Sequence, residues 1–194
     1  MSRTAETIDQ RRFTVEEYHR MAETGIFKPN ERVELIRGVV RRMSPKNYAH
    51  VVAVTHLYQS LVGALAGRAA VFQEAPLKLI PFDSEPEPDI VAISSPDIKD
   101  YGPERSEPVL VIEVADSSLR YDLSAKAQLY AEAGVPEYWV VNLVDRELVV
   151  FRSPHEGDYR DRATHRSGDH VAPGAWQDVM LEVGELFPTG EEQV

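Results

Sequence analysis

The run VLVIEVA (Val109 to Ala115) places one carboxylate, Glu113, among apolar residues. Such a run is typical of a central strand that is covered on both faces. An ionised carboxylate buried there costs roughly several kcal/mol unless it is paired, hydrogen-bonded or bound to a cation. Lys126 follows on the next predicted element. Glu113 and Lys126 are therefore the first candidates for chemistry in this chain.

A second carboxylate, Asp89, begins the strand-like run DIVAI, after Pro86 and Pro88 have kept the approach extended. If the two strands are neighbours in one sheet, Asp89 and Glu113 converge, and the Val114 backbone carbonyl offers a third oxygen. Mg²⁺ suits this set because it takes one or two carboxylates and completes its octahedron with water and phosphate oxygens. The residues therefore predict a magnesium site, which Mn²⁺ can also occupy.

Lys126 lies on the sheet-facing side of a helix predicted from Asp122 to Ala133. At roughly 100° per residue, it shares the apolar face of that helix. This face carries Leu123, Ala127, Leu129, Tyr130, Ala133 and Gly134, and the polar face carries Ser124, Gln128 and Glu132. A lysine needed only for solubility belongs on the polar face. Its direction indicates that an anion meets it inside the fold.

The same residues also admit a purely structural interpretation. A buried Glu113 paired with Lys126 is an ion pair that needs no catalysis, and geometry alone leaves both interpretations open. Asp89 by itself is more often a strand-end or turn residue. Asp122 is predicted to be the helix N-cap.

Two carboxylates and a lysine around a divalent cation suffice for phosphodiester hydrolysis. The metal activates a water and neutralises the phosphate, and the lysine positions the water or stabilises developing charge. The candidate residues thus form a coherent active site for a phosphodiesterase.

The elements that must position these residues follow from caps and hydrophobic periodicity. Thr14 and Glu17 have capping-box spacing and predict a helix that ends at Gly25. The segment RVELIRGVVRRM (Arg32 to Met43) predicts a hairpin, and a second helix is predicted to start near Asn47.

The strand-like runs that follow are AVFQE, LKLI, DIVAI, VLVIEVA, EYWVVNL and ELVVFR. VLVIEVA, the helix that carries Lys126 and EYWVVNL form a βαβ unit, which is expected to be right-handed with parallel strands. The expected fold class is therefore α/β (α+β), a mixed β-sheet flanked by helices with extra β-hairpins. Tyr138 and Trp139 are predicted to be core or interface aromatics rather than ligands. Further short strands are predicted between Gly157 and Phe187.

Composition and charge restrict the class of protein. The chain has 194 residues, of which 43% are hydrophobic and 27% charged, as in an ordinary globular domain. We expect one domain over 13–187, with tails at 1–12 and 188–194, and the segment PTGEEQV is expected to be disordered. The absence of cysteine excludes disulfides and thiolate metal sites and fits a reducing compartment.

The chain shows no sign of a membrane segment. Its start lacks the apolar core of a signal peptide, and polar residues interrupt the apolar-rich segment from Ala49 to Ala66. A soluble cytoplasmic protein is therefore expected. The formal net charge of -11 argues against broad electrostatic binding to nucleic acid. Basic residues cluster in RGVVRRM (Arg37 to Met43), but such a cluster at a hairpin is more often a solvated edge than a binding patch.

Over residues 13–152 the chain resembles the Uma-two family of restriction-endonuclease-like proteins, a branch of the PD-(D/E)XK nuclease superfamily. The resemblance is carried by the order of VELIRGVVRRMSP, His50, PEPDIVAI and VLVIEVADSSLRYDLSAKAQLYAEAGVPEYWVV. It implies a restriction-endonuclease-like mixed sheet flanked by helices. It also implies that Asp89 and Glu113 bind the metal and that Lys126 is the catalytic lysine.

The resemblance bears on further positions. The superfamily's lysine usually stands two residues after the second carboxylate, where this chain has Ala115, so the lysine is displaced to the helix that carries Lys126. Glu34 matches an acidic position that can supply a metal ligand or orient a water, although an exposed strand residue is equally consistent with the sequence. His50 matches the family's histidine, which can touch a phosphate or a carboxylate, and a structural histidine at a helix start is the alternative. Asn142 stands where many relatives have an aspartate.

The expected function is a magnesium-dependent endonuclease that cleaves DNA phosphodiester bonds. A homodimer is expected because a duplex offers two strands to related sites. The acidity predicts weak or strongly salt-dependent binding, or a partner protein that holds the DNA. Two other functions stay open: a noncatalytic binding or assembly module that keeps the nuclease fold, and an RNA-directed or other phosphodiesterase.

Overall fold

Two helices and a hairpin precede the main sheet in the computed structural model, which describes residues 10–102 and 107–188. They are α1 (Val15–Glu23), β1 (Val33–Ile36), β2 (Val39–Arg42) and α2 (Tyr48–Ala64). The predicted capping box of Thr14 and Glu17 starts α1, and Asn47 caps α2. The hairpin turns through Arg37 and Gly38, which both have positive φ. A Cβ atom on Gly38 would lie only 2.6 Å from the Cβ of Arg12. The turn can pack this closely against Arg12 because glycine has no side chain.

The central sheet has six strands in the order β3-β4-β5-β6-β7-β8. They are β3 (Ala70–Gln73), β4 (Ile90–Ile93), β5 (Pro108–Ala115), β6 (Glu137–Asn142), β7 (Glu147–His155) and β8 (Asp158–His165). The β5 and β6 strands are parallel, as the predicted βαβ unit requires, and the other neighbouring pairs are antiparallel. The predicted mixed sheet is confirmed.

Both faces of the sheet are covered, which explains why β5 and β6 carry few polar residues. On one face, Leu57 and Leu61 of α2 belong to the same buried cluster as Trp139. On the other face, Tyr130 packs in a cluster with Tyr138. Tyr138 and Trp139 are fully buried, so of the two predicted roles, core and interface, they have the first.

The helix that crosses from β5 to β6 is irregular and begins earlier than predicted. It consists of α3 (Leu119–Tyr121), a π-helical turn (Asp122–Lys126) and α4 (Ala127–Glu132), which together form the crossover helix. The N-cap is Ser118, so the prediction that Asp122 caps the helix is wrong. Asp122 is instead buried inside the π-helical turn. Hydrophobic periodicity does not reveal a π-turn, because its i→i+5 hydrogen bonds occupy a single turn within an otherwise α-helical segment.

The strand predicted for LKLI is wrong. Leu79 forms only an isolated bridge with Ser84, and Ile80–Phe82 is a 3₁₀ helix. Pro81 has no N–H to give to a ladder, so it disfavours a strand at this position. Two other 3₁₀ helices span Ile98–Asp100 and Val183–Leu186.

The C-terminal part supplies the predicted strands, although β8 is longer than expected. The last pair is β9 (His170–Val171) and β10 (Leu181–Glu182). Residues 1–9 of the predicted N-terminal tail and 189–194 of the predicted C-terminal tail lie outside the described residues. Within the described ranges, no helix is long and apolar enough to cross a membrane.

Candidate active site

A cavity of about 370 Å³ opens where the β1–β2 hairpin, the start of α2, the β4–β5 edge and the crossover helix meet. Charged residues dominate its lining. The acidic ones are Glu34, Glu87, Asp89, Glu113, Asp116 and Asp122, and the basic ones are Arg32, Arg41, Arg42, Lys46, Arg120 and Lys126. His50 also lines it, so all five side chains selected from the sequence come together in one cavity.

Lys126 bridges two glutamates at the floor of the cavity. Its Nζ lies 2.8 Å from Glu113 Oε1 and 3.0 Å from Glu34 Oε2. The contact with Glu113 is a hydrogen bond, whereas the contact with Glu34 lacks hydrogen-bond geometry. Glu34 is only 5% exposed, so its interpretation as an exposed strand residue is wrong. The inward direction derived for Lys126 is confirmed, since it is 4% exposed.

Glu113 has a second donor from the crossover helix. The Tyr130 hydroxyl donates to Glu113 Oε1 over 3.1 Å, the same oxygen that Lys126 contacts. Both hydrogen bonds therefore end on Oε1, and neither of them involves Oε2. A carboxylate held on one oxygen is fixed in orientation and keeps coordinating capacity on the other.

Asp89 is held beside Glu113 by the sheet register. It precedes β4, in which Ile90 pairs with Ile112 of the adjacent β5, so the predicted proximity of the two strands is confirmed. The Val114 N–H donates to Asp89 Oδ2 over 2.8 Å. His50 Nε2 lies 3.0 Å from Asp89 Oδ1, so this histidine contacts a carboxylate.

The cavity contains more buried carboxylate than ammonium charge. Burial raises the pKa of Glu113 well above its ordinary value; Lys126 opposes this shift, and Asp122, Asp89 and Glu34 add to it. Burial likewise raises the pKa of Asp122 to about 6. Burial by itself would lower the pKa of Lys126, but Glu113, Glu34 and Asp122 outweigh it and raise the pKa. The site therefore takes up positive charge, as proton or cation, more readily than a solvated group of acids.

This demand for positive charge fits a divalent cation. Among the residues that the structure describes, no three carboxylate or imidazole groups converge closely enough to hold a metal by themselves. Mg²⁺ does not need three, because it is usually bound through one or two carboxylates, with water and substrate phosphate in the remaining positions. Asp89 and Glu113 thus have the donor chemistry for Mg²⁺ or Mn²⁺ rather than for a fully protein-bound ion.

Several cavity residues were missed in the sequence. Asp122 was assigned to a cap, but it is 2% exposed inside the site. Lys46 Nζ lies 3.8 Å from Asp89 Oδ1 and 2.6 Å from Glu74. Tyr130 does not line the cavity but contacts Glu113, and on the predicted helix it lies on the apolar face, although a buried tyrosine needs a partner for its hydroxyl. That rule is the signal in the sequence that can indicate the Tyr130 contact.

The arginine cluster of the hairpin was also underestimated. Arg41 lies with its guanidinium carbon 3.4 Å from the ring centre of Tyr121, at the cavity. Asn142, by contrast, lies outside the lining and accepts from the backbone N–H groups of Val144 and Asp145 in the turn after β6. It is the last residue of β6 and its side chain stabilises the turn that follows.

Comparisons with known proteins agree with this architecture. The Uma-two family model, described as "Putative restriction endonuclease", matches residues 15–181. A crystal structure described as "a putative nuclease belonging to DUF820" from Anabaena variabilis superposes with a TM-score of 0.73 at 14% identity, over 90% of this chain and 97% of that chain. At this identity the likeness shows the fold, which is restriction-endonuclease-like. No curated protein matches the sequence.

Proposed function

Because the chain belongs to the Uma-two family of restriction-endonuclease-like proteins, we propose that it is a metal-dependent endonuclease that cleaves DNA phosphodiester bonds. The observation that carries the proposal is the cavity floor, where Lys126 bridges Glu113 and Glu34 beside Asp89. Phosphoryl chemistry needs this mixture, since anions hold the metal and a cation meets the phosphate charge.

Asp89, Glu113 and the Val114 carbonyl are the proposed metal-binding groups, and Mg²⁺ is the proposed ion, with Mn²⁺ as a substitute. When bound, the ion supplies a Lewis acid and a water of lowered pKa. The Val114 N–H and His50 fix Asp89 in place. The Val114 carbonyl is proposed from the sequence, and the contact that supports its position is the bond of the same residue to Asp89.

Lys126 is the proposed catalytic lysine. Its ammonium is held between two carboxylates and remains protonated, so it can donate to a phosphate oxygen or to the attacking water. Glu34 gives Lys126 a second anion, which keeps the lysine in place when Glu113 also serves a metal. Tyr130 fixes the orientation of Glu113.

A double-stranded DNA substrate and a homodimer complete the proposal. Two related sites suit the two strands of a duplex. The net charge of -11 favours weak, salt-dependent binding or a partner protein that contributes to DNA affinity. RNA and other phosphodiesters remain as substrates that the test below separates from DNA.

The test is a cleavage assay with purified protein and Mg²⁺ on plasmid, linear duplex, single-stranded DNA and RNA. Lys126→Ala should lose on the order of 10²- to 10³-fold in rate, because it removes the proposed catalytic cation at the cavity floor. Asp89→Asn serves as a second variant if Lys126→Ala folds poorly by circular dichroism. Equal cleavage by wild type and both variants would indicate a contaminating nuclease and refute the assignment.

Calorimetric titration tests the metal site independently of cleavage. Wild type should bind Mg²⁺ or Mn²⁺, and Asp89→Ala should bind neither detectably. A matched control is Glu137→Gln, which changes a buried glutamate of the neighbouring strand that does not line the cavity. Absence of metal binding by the wild type would contradict the proposed site.

The second candidate is a noncatalytic binding or assembly module with the nuclease fold. The closed contact between Lys126 and Glu113 favours it, since a paired buried ion pair can serve structure alone. This candidate predicts no metal binding and no cleavage by a folded wild-type protein.

A further inference from the structure

The cations of the cavity divide into paired and unpaired groups. Arg32 pairs with Glu87 at 2.9 Å, Arg42 with Glu31 at 3.0 Å and Lys46 with Glu74 at 2.6 Å. Lys126 is held by the two floor glutamates. Within the described ranges, Arg41 and Arg120 form no ion pair with a carboxylate. They are therefore the lining arginines whose charge is not locally compensated.

The hairpin register aims Arg41 at the cavity floor. Arg41 on β2 is directly opposite Glu34 on β1. Side chains directly opposite in an antiparallel pair lie on the same face of the two strands. Arg41 therefore shares a face with Glu34, which reaches Lys126. Arg42, the next residue, also lines the cavity, but it lies on the other face of the strand and pairs with Glu31.

Tyr121 holds Arg41 in place. The guanidinium carbon lies 3.4 Å from the ring centre, and Tyr121 is half-buried on the crossover helix next to Arg120. Stacking on an aromatic ring preorganises the planar guanidinium and leaves its edge N–H groups available to an acceptor. An arginine held in this way suits the two-pronged geometry of a phosphate.

We propose that Arg41, stacked on Tyr121 and assisted by Arg120, binds the phosphate of a nucleic-acid strand adjacent to the phosphate that lies over the carboxylates. This inference rests on the proposed nuclease function and specifies how an acidic protein holds a polyanion. Arg41 and Arg120 are positioning residues in this scheme, because they orient the strand and do not take part in bond cleavage.

The test is binding of a fluorescently labelled DNA oligonucleotide by anisotropy across a salt series, in EDTA and with Ca²⁺ in place of Mg²⁺. Arg41→Ala should weaken binding on the order of 10-fold and reduce the slope of log affinity against log salt by about one. Arg42→Ala is the matched control, since it removes a neighbouring arginine of equal charge that is already paired.

The ring gives a second, independent comparison. Tyr121→Phe keeps the stacking surface and should bind the oligonucleotide like wild type. Tyr121→Leu should weaken binding by a large part of the loss expected for Arg41→Ala. Arg41→Lys should not restore full affinity, because an ammonium neither stacks nor forms two parallel bonds. Circular dichroism and thermal unfolding identify any variant that fails to fold.

The possible outcomes distinguish the role of Arg41 from the proposed nuclease function. Cleavage by the wild type, with equal affinity and salt slope in Arg41→Ala, would refute the role of Arg41 alone. An equal loss in Arg41→Ala and Arg42→Ala would show a general charge effect and also refute it. No binding by the wild type under either condition, together with no cleavage, would refute both proposals.

Discussion

Two buried glutamates on adjacent parallel strands differ in the donors and cations that compensate their charges. Glu137 on β6 is 3% exposed. Its Oε1 accepts hydrogen bonds from Trp139 Nε1 over 2.6 Å and from Arg152 Nε over 2.8 Å. The backbone N–H of Gly174 donates to its other oxygen. Glu113 on β5 is 5% exposed, shares its one lysine with Glu34 and has further acids around it.

The difference separates a carboxylate that stabilises structure from one that is available for chemistry. Donors reach both oxygens of Glu137, and one of them is a guanidinium, so its charge is compensated within the fold. The charge around Glu113 is undercompensated, because several carboxylates face one ammonium. Such frustration lowers stability unless a cation enters, and it is typical of functional sites.

The largest expected effect is on cleavage. Glu113→Gln should reduce the rate of DNA cleavage by about 10²- to 10³-fold, because it removes a proposed metal-binding group beside Lys126. Glu137→Gln should leave the rate per folded molecule unchanged. Initial rates normalised to folded protein measure both effects. An equal loss in the two variants would contradict the distinction between a functional Glu113 and a structural Glu137.

Stability should respond in the opposite order. Glu137→Gln should lower the free energy of unfolding by about 2–3 kcal/mol, since it leaves the partly exposed Arg152 without its carboxylate. Glu113→Gln should cost less than Glu137→Gln without metal, because Lys126 keeps Glu34 as a second carboxylate partner and the number of buried carboxylates around it falls. Urea unfolding in EDTA measures both values. A larger cost for Glu113→Gln would contradict the idea of undercompensated charge.

The pH dependence of stability tests the same frustration. Burial raises the pKa of Asp122 from 3.8 to about 6, so the folded state binds this proton more tightly than the unfolded state. Stability in EDTA should therefore fall as pH rises from about 4 to about 6, by about 2 kcal/mol. Asp122→Asn should flatten this fall, and unfolding curves at several pH values measure it.

Asp178→Asn is the control for the pH experiment. The hydrogen bond from Arg68 lowers the pKa of exposed Asp178, so its titration lies below this pH window. A wild-type stability that rises between pH 4 and 6 and is unaffected by Asp122→Asn would refute the proposed effect of burial.

The smallest effect is expected at the hydroxyl that orients Glu113. Tyr130→Phe should cost about 1 kcal/mol in unfolding free energy, because one buried hydrogen bond is lost. Cleavage should change by no more than a few-fold, since Lys126 still holds the same oxygen. Tyr159→Phe, which loses a bond to the Val135 carbonyl outside the cavity, is the matched comparison. A Tyr130→Phe loss as large as that of Glu113→Gln would assign the tyrosine a direct role.

Sequence reasoning recovered the sheet, because hydrophobic runs and caps are local signals. It also selected Asp89, Glu113 and Lys126 as members of one site, since a charged residue in a buried run needs a partner. It failed at LKLI, where Pro81 disfavours a strand, and at the start of the crossover helix, which begins after Ser118 and contains a π-turn. The first error overlooked a local signal, because Pro81 is visible in the sequence, whereas the second concerns a backbone hydrogen-bond pattern that hydrophobic periodicity does not record.

The sequence by itself determined that the strand carrying Glu113 must be buried and that Lys126 must meet an anion. Only the tertiary structure decided that Glu34 and Glu113 share this lysine, that His50 contacts Asp89 and that Arg41 stacks on Tyr121. The physical reason is that the hairpin, α2, β5 and the crossover helix are distant in sequence. Periodicity gives the direction of a side chain within its own element, but its partner depends on how separate elements pack together.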